Sequence, residues 1–183
     1  LDMQIDQELK FRLNKLLPEE IAVRNIVAVG QDAHARFDAV NRSYCYHITT
    51  QKNPFLHKRS YQFAKPLDIE LMNKAADILL HHEDFKCFSK SKTDVKTYNC
   101  DVQQAHWKQN GSELVFFIQA NRFLRNMVRA IVGTFIEVGL GKISISDFKA
   151  ILESRDRSQA GYSVPAHGLY LENVSYPKHI FAV

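Results

Sequence analysis

The chain has 183 residues, 45% apolar and 24% charged, with a formal net charge of +4. That length suits one domain with a real core, and the balance excludes a disordered chain and a strongly basic nucleic-acid coat; no apolar run reaches the length of a membrane span. Three cysteines, Cys45, Cys87 and Cys100, are odd in number and far apart, which argues against a disulfide framework or zinc cage and suits a reducing cytoplasm. Leu1, Asp2, Met3 and Gln4 carry no signal-peptide pattern, and a chain that opens on leucine is expected to be part of a longer protein.

Over residues 7–17, Leu9, Leu13, Leu16 and Leu17 recur at helical spacing until Pro18, which predicts a short amphipathic helix. Residues 21–29 alternate, are rich in β-branched side chains and close on Gly30, so a strand is expected. A second strand is expected over 36–49. Phe37 and Ala39 fall on one of its faces and Val40, Tyr44, Tyr46 and Ile48 on the other, which calls for a twist or bulge. Residues 68–80 carry Ile69, Met72, Ala75, Ala76 and Leu79 at helical intervals behind a capping Asp68. Two strands, 99–108 and 113–120, flank Asn110-Gly111, a tight-turn signal that predicts a hairpin. Residues 123–138 are apolar nearly all round and end at Gly139 and Gly141, the pattern of a central buried helix. Ser146 opens a short helix to about 154, and a last strand over 168–176 stops at Pro177. After the first helix the order is β-β-α-β-β-α-α-β. It predicts an α+β fold with a mostly antiparallel sheet, helices packed on one face, and the other face free for a cleft or RNA.

Arg129 is the sharpest anomaly, because it sits among Met127, Val128, Ala130, Ile131 and Val132, where an isolated guanidinium is costly. It requires a carboxylate or phosphate partner, or a head group that snorkels out. Arg122, Arg125 and Arg129 also form a rough helical stripe, which reads equally as a solvated basic face. Arg36, Arg42, Tyr44 and Tyr46 share strand parity, so cations and rings can emerge together for phosphate clamping and base stacking; an ordinary exposed strand has the same pattern. His81, His82, Glu83 and Asp84 crowd a helix end, but neighbours at i and i+1 point apart and no second ligand pair follows, so no metal site is expected. Lys92, Thr93 and Asp94 read as a polar loop.

The motifs His34-Ala35-Arg36-Phe37-Asp38-Ala39, Arg42-Ser43-Tyr44-Cys45-Tyr46, Glu83-Asp84-Phe85, Phe88-Ser89, Asn121-Arg122-Phe123-Leu124-Arg125-Asn126-Met127-Val128-Arg129, Ile131-Val132-Gly133, Val138-Gly139 and Pro165-Ala166-His167-Gly168-Leu169-Tyr170-Leu171 follow one another in order. Together they resemble the tRNA pseudouridine synthase A family over nearly the whole chain. The resemblance implies isomerisation of uridine to pseudouridine in the anticodon stem-loop of tRNA, without metal or organic cofactor, by a cytoplasmic homodimer with tRNA across both subunits. It also implies that residues 1–183 are the C-terminal part of the catalytic chain. The family's nucleophilic aspartate lies in a Gly-Arg-Thr-Asp-Ala-Gly motif that these residues do not contain, so the piece alone is expected to be inactive.

Position by position, Tyr44 matches the active-site tyrosine, placed either to stack on the target base alone or to move its proton as well, and Arg129 the arginine that pairs with the aspartate. Leu169 matches an apolar residue of the base pocket, and Arg36 and Arg42 look like RNA-backbone contacts. Cys45 departs from the basic residue often found between the two tyrosines. Asp94 follows the Phe85 and Phe88 motifs and precedes Val95-Lys96, so it is not the matching aspartate. A non-catalytic RNA-binding module is the alternative, and a small-metabolite enzyme would need an acid–base pair that the spacing does not supply.

Overall fold

The computed structural model describes residues 7–91 and 95–181, so the Lys92-Thr93-Asp94 reading lies outside the described residues. The chain forms two units, Leu1–Ala39 with Tyr176–Val183, and Val40–Ser175.

In the first unit, α1 (Gln7–Leu16) forms as its leucine spacing predicts. The strand expected over 21–29 does not form. Asn14 instead holds the returning chain at both polar groups of Val23: its Oδ1 accepts from the Val23 N–H at 2.7 Å and its Nδ2 donates to the Val23 carbonyl at 2.9 Å. Alternating side chains need a ladder partner to become a strand, and among the described residues none is paired with this stretch. Residues 35–38 turn instead of extending. The cause is local: the Asp38 carboxylate accepts from the His34 N–H at 2.6 Å, and His34 Nδ1 accepts from the Arg36 N–H at 3.1 Å. The Tyr176 hydroxyl closes the unit by donating to the Ala35 carbonyl at 2.7 Å.

The second unit is built around β1 (Asn41–Thr49). One edge of β1 pairs antiparallel with β4 (Glu113–Ala120), which pairs with β3 (Val102–Asn110). The other edge is shared by β5 (Leu169–Ser175), antiparallel, and the two-residue β2 (Tyr61–Gln62), parallel. The sheet is therefore mixed, though largely antiparallel. Its parallel β2 is too short for period-2 patterning to reveal. The letters of the expected element order survive, but β2 takes the place of the strand that does not form. The bulge expected within 36–49 is not what reconciles its two faces, since residues 35–38 turn before β1 begins; a bulge lies instead in β5, where Ser43 faces Asn173 and Tyr44 faces Leu171, leaving Glu172 unpaired. In the hairpin, Asn110 still pairs with Glu113, so the central turn residues are Gly111 and Ser112, and only Gly111, at φ 57, uses the left-handed region.

Alternation along β4 sends Leu114, Phe116, Ile118 and Ala120 inward. There the rings of Trp107, Phe116 and Phe135 meet at 5.0–6.2 Å, and Phe135 stacks on Phe148 at 5.3 Å. These contacts seat α3 (Met127–Gly139) and α4 (Ile145–Ser154) on the inner face. The helix α2 (Ile69–Leu79), capped by Asp68 as expected, joins them through Asn73, which brackets the backbone of Trp107. Ser144, not Ser146, caps α4, in a capping box with Asp147. On the sheet's opposite face Ser43, Gln119 and Gln103 form a polar ladder and His106 stacks on Phe117.

The expected helix over 123–138 starts four residues late, because Asn126 adopts φ 69 and breaks the turn. Arg122 and Arg125 therefore lie before α3, and the three-arginine stripe does not exist. Gly133 brings α3 against the backbone of 160–164: a Cβ there would stand 1.7 Å from the Tyr162 carbonyl oxygen, and one on Gly161 2.8 Å from the Thr134 nitrogen. Gly133→Ala is expected to destabilise the fold by about 3 kcal/mol, the upper range for overpacking, since rigid backbone and not a flexible side chain must yield. Gly30→Ala, with nothing within 4 Å, should stay within about 0.5 kcal/mol. Urea-unfolding midpoints of the two variants check both.

Candidate active site

Tyr44 and Tyr46 leave β1 on the inner face, since their partners on β4 are the buried Ile118 and Phe116. The parity reading thus holds for the two tyrosines, fails for Arg36, which lies outside β1, and mistakes an interior face for an outer one. Tyr46 is fully buried and donates its hydroxyl to the Pro165 carbonyl at 2.7 Å. Burial and then the neighbouring Tyr61 push its pKa up, against an opposing pull from the Arg129 guanidinium. Tyr44, one pleat nearer the strand start, is only half-buried and meets Phe123 edge-on at 5.1 Å. Phe123 carries the contact because it precedes α3 in the irregular stretch that Asn126 ends. The apolar spacing over 123–138 predicts it inside the helix, which begins only at Met127.

Arg42 donates from Nη1 to the Asn121 carbonyl at 2.7 Å, while Asn121 Oδ1 accepts from the Asp101 N–H at 2.9 Å. The 121–126 stretch is fastened at its far end as well, where Asn126 Nδ2 donates to Ser163 Oγ at 2.5 Å. Arg36 lies in the other unit, in the 35–38 turn, with its guanidinium 5.5 Å from the Phe37 ring centroid. It does not share a strand with Arg42.

Arg129 stands in the first turn of α3 and is half-buried. Its Nε donates to the Val164 carbonyl at 2.6 Å, and the Val164 N–H returns a bond to the Arg129 carbonyl at 3.2 Å. Among the described residues no carboxylate lies within ion-pair distance of it. The residues after Val164 complete the surroundings: Pro165 accepts from Tyr46, and Leu169 is half-buried opposite Tyr46 in β5. Leu171, the register partner of Tyr44, is 54% exposed, an apolar neighbour that the sequence did not single out. A second unforeseen pair is Tyr61 and Tyr162, whose hydroxyls lie 3.2 Å apart; burial first and this bond second raise the Tyr162 pKa.

Tyr44 thus meets Phe123, Arg129 is tied to Val164, and Leu169 faces Tyr46 across the β1–β5 pairing. These side chains supply a ring with a hydroxyl, an apolar side chain and a cation, and among the described residues no carboxylate pairs with that cation. The cysteines do not supply a nucleophile. Burial raises all three thiols, Cys87 to about 12 and Cys100 to about 11, with Cys45 raised further by Glu172. The helix-end cluster serves the backbone: His82 Nε2 lies 2.8 Å from the Asp84 carbonyl and Asp84 pairs with Arg155 at 2.8 Å.

Residues 75–177 match a family model described as tRNA pseudouridine synthase. Among curated proteins, the chain is 53% identical over 172 residues to tRNA pseudouridine synthase A of Parabacteroides distasonis, covering 94% of this chain and 68% of that protein. It is 54% identical over 173 residues to the protein of the same name from Porphyromonas gingivalis, covering 93% and 68%, and 40% over 168 residues to that of Bacillus subtilis, covering 91% and 68%.

The buried acids predict a pH dependence. Each is held neutral in the fold, so its contribution is complete below the ordinary thiol value of 9.0 and is lost as pH rises toward about 11 for Cys100 and about 12 for Cys87. Urea midpoints should fall from pH 9 to pH 11, and Cys87→Ala should flatten that fall. Equal midpoints at both pH values would contradict it.

Proposed function

The chain belongs to the tRNA pseudouridine synthase family, and from that premise we propose how its residues serve the conversion of uridine to pseudouridine in tRNA. The reaction is an isomerisation, in which the base leaves its ribose through nitrogen and returns through carbon. The catalyst must therefore extrude the base, hold it while detached, and stabilise one reacting carboxylate.

Arg129 carries this reading. A half-buried guanidinium that binds Val164 through Nε keeps its two terminal nitrogens for a bidentate partner. A carboxylate there would be held ionised, as a nucleophile needs to be. The Gly-Arg-Thr-Asp-Ala-Gly motif is not among the 183 residues, and the chain spans about two thirds of the length of the relatives it matches. The proposed nucleophile is an aspartate from the remaining third of the natural protein, and the 183-residue chain alone is inactive. Tyr44 stacks on the extruded uracil, its ring steadied edge-on by Phe123, and its hydroxyl takes part in moving a proton of the base. Leu169 provides apolar wall, and Arg36 and Arg42 contact the RNA backbone.

The anticodon stem-loop as the modified region, a homodimer with tRNA across both subunits, and a cytoplasmic setting complete the proposal by resemblance. Among the described residues no helix is long and apolar enough to cross a membrane. A non-catalytic RNA-binding module would need the rings and cations but not Arg129 beside a reacting centre.

The test is pseudouridine formation in unmodified tRNA by the full-length natural protein and by the 183-residue chain. Activity in the first alone is expected; activity in the chain itself would require a nucleophile within it, Asp38 or Asp94 being the candidates. In the full-length protein Tyr44→Phe should lower kcat by at least tenfold while tRNA affinity changes less than threefold, since the ring that stacks is kept; proton transfers of this kind contribute about 10²–10⁴-fold. Equal losses in kcat and affinity would assign the hydroxyl to binding.

A further inference from the structure

Ser163 occupies a junction in the second unit. Its side chain is half-buried, and its Oγ accepts two bonds from different parts of the chain: Asn126 Nδ2 donates at 2.5 Å and Arg157 Nη2 at 3.0 Å. The second bond is charge-assisted, and two donors on one oxygen fix it in two directions. Arg157 is itself held, since its Nη1 donates to the carbonyls of Ala160 and Gly161 at 3.2 and 3.0 Å.

The junction leads to both parts of the candidate site. Asn126 stands between them in the chain. On one side of it the irregular stretch carries Phe123, whose ring meets Tyr44 at 5.1 Å. On the other side its carbonyl accepts from the Ala130 N–H at 3.1 Å, a bond of the first turn of α3, the turn that carries Arg129. Asn126 holds a left-handed φ of 69, which is unfavourable for a residue with a Cβ, and the bond to Ser163 offsets part of that cost. Ser163 is also followed directly by Val164, whose carbonyl takes the Arg129 Nε–H at 2.6 Å. Arg129 is therefore placed twice, through its backbone from Asn126 and through its guanidinium from Val164, and the two routes meet at Ser163.

We propose that Ser163 is a positioning residue for the reaction. It holds Arg129 and the Phe123–Tyr44 ring pair in one fixed relation, and it acts on the chemistry through them without touching the base. The conversion needs the carboxylate met by Arg129 and the base stacked on Tyr44 to be aligned, and a misplacement of about 1 Å can cost about 10²-fold in rate. The inference rests on the roles proposed above for Arg129 and Tyr44 and deepens them.

The test uses the full-length natural protein with its S163A, N126G and S163A/N126G variants, and N73A as a control for stability. S163A removes the shared acceptor. N126G removes the donor and keeps the backbone, because glycine adopts positive φ freely. N73A removes two bonds to the Trp107 backbone, on α2 and β3. Pseudouridine formation, tRNA affinity and melting temperature are measured for each. S163A and N126G should each lower kcat about tenfold, part of the loss that a 1 Å misplacement brings, with tRNA affinity within about twofold of the parent. The double variant should lose no more than the worse single one, since both remove the same bond. N73A should melt lower and keep the parental kcat. Losses in kcat that follow the melting temperature in every variant, N73A included, would make Ser163 an ordinary support of the fold and overturn the proposal. Equal losses in affinity and kcat, losses that multiply in the double variant, or a parental kcat in either single variant would overturn it as well. Any of these in an active parent removes the role of Ser163 alone, whereas a parent that forms no pseudouridine removes the functional reading and this proposal with it.

Discussion

The second unit depends on one backbone-to-backbone approach. Where α3 passes residues 160–164, Gly133 and Gly161 leave no room for a Cβ on either side. Every other tie in this region needs that distance. Thr134 Oγ1 accepts from the Gly161 N–H at 2.9 Å, Arg129 and Val164 exchange two bonds, and Asn126 reaches Ser163. Arg157 adds bonds to the carbonyls of Ala160 and Gly161 at 3.2 and 3.0 Å and to Ser163 Oγ at 3.0 Å. Residues 160–168 have no strand or α-helix of their own to satisfy their polar groups, so side chains of α3 and of Arg157 do it. The segment is thereby held by side chains along its length, and Arg129 on α3, proposed above to meet the reacting carboxylate, shares those ties.

The same economy explains the tyrosines. A tyrosine buried on a sheet must find an acceptor for its hydroxyl, and Tyr46 finds the Pro165 carbonyl. That bond fixes the entry to β5, where Gly168 packs against the Tyr46 ring and the His47 carbonyl. Tyr44, two residues earlier, is only half-buried and packs its ring against Phe123, ahead of the start of α3. One strand thus uses two tyrosines of the same face in different ways, and the difference arises from how far the helix layer extends.

Elements backed by long periodic patterns were legible from residues alone: α1, α2, the β3–β4 hairpin and β5 form close to where apolar spacing and caps put them. Failures occurred where local side-chain bonds compete with the pattern. His34 and Asp38 turn a stretch that alternation marks as extended, Asn14 ties down Val23, and Asn126 delays α3 through a left-handed residue that composition does not announce. At the site, Arg129 was visible because charge in an apolar helix contradicts its surroundings. Phe123, Leu171 and the Tyr61–Tyr162 pair were not, because their roles follow from strand register and from loop paths that bring residues 101 positions apart into contact.

Arginine at position 129 suits the role proposed for it for a geometric reason that charge alone does not supply. The Val164 carbonyl takes the Nε–H, which lies in the guanidinium plane, and the two terminal nitrogens stay in that plane with donors to spare. One side chain can thus anchor the segment and orient a carboxylate at once. An ammonium group offers three rotatable donors on a flexible stem and no second fixed direction, so it could hold the carbonyl or the carboxylate but would not define the angle between them. The structural bond to Val164 therefore sets the plane in which an aspartate would be met. The packing of α3 on residues 160–164 and the chemistry proposed at its first turn are one constraint seen from two sides.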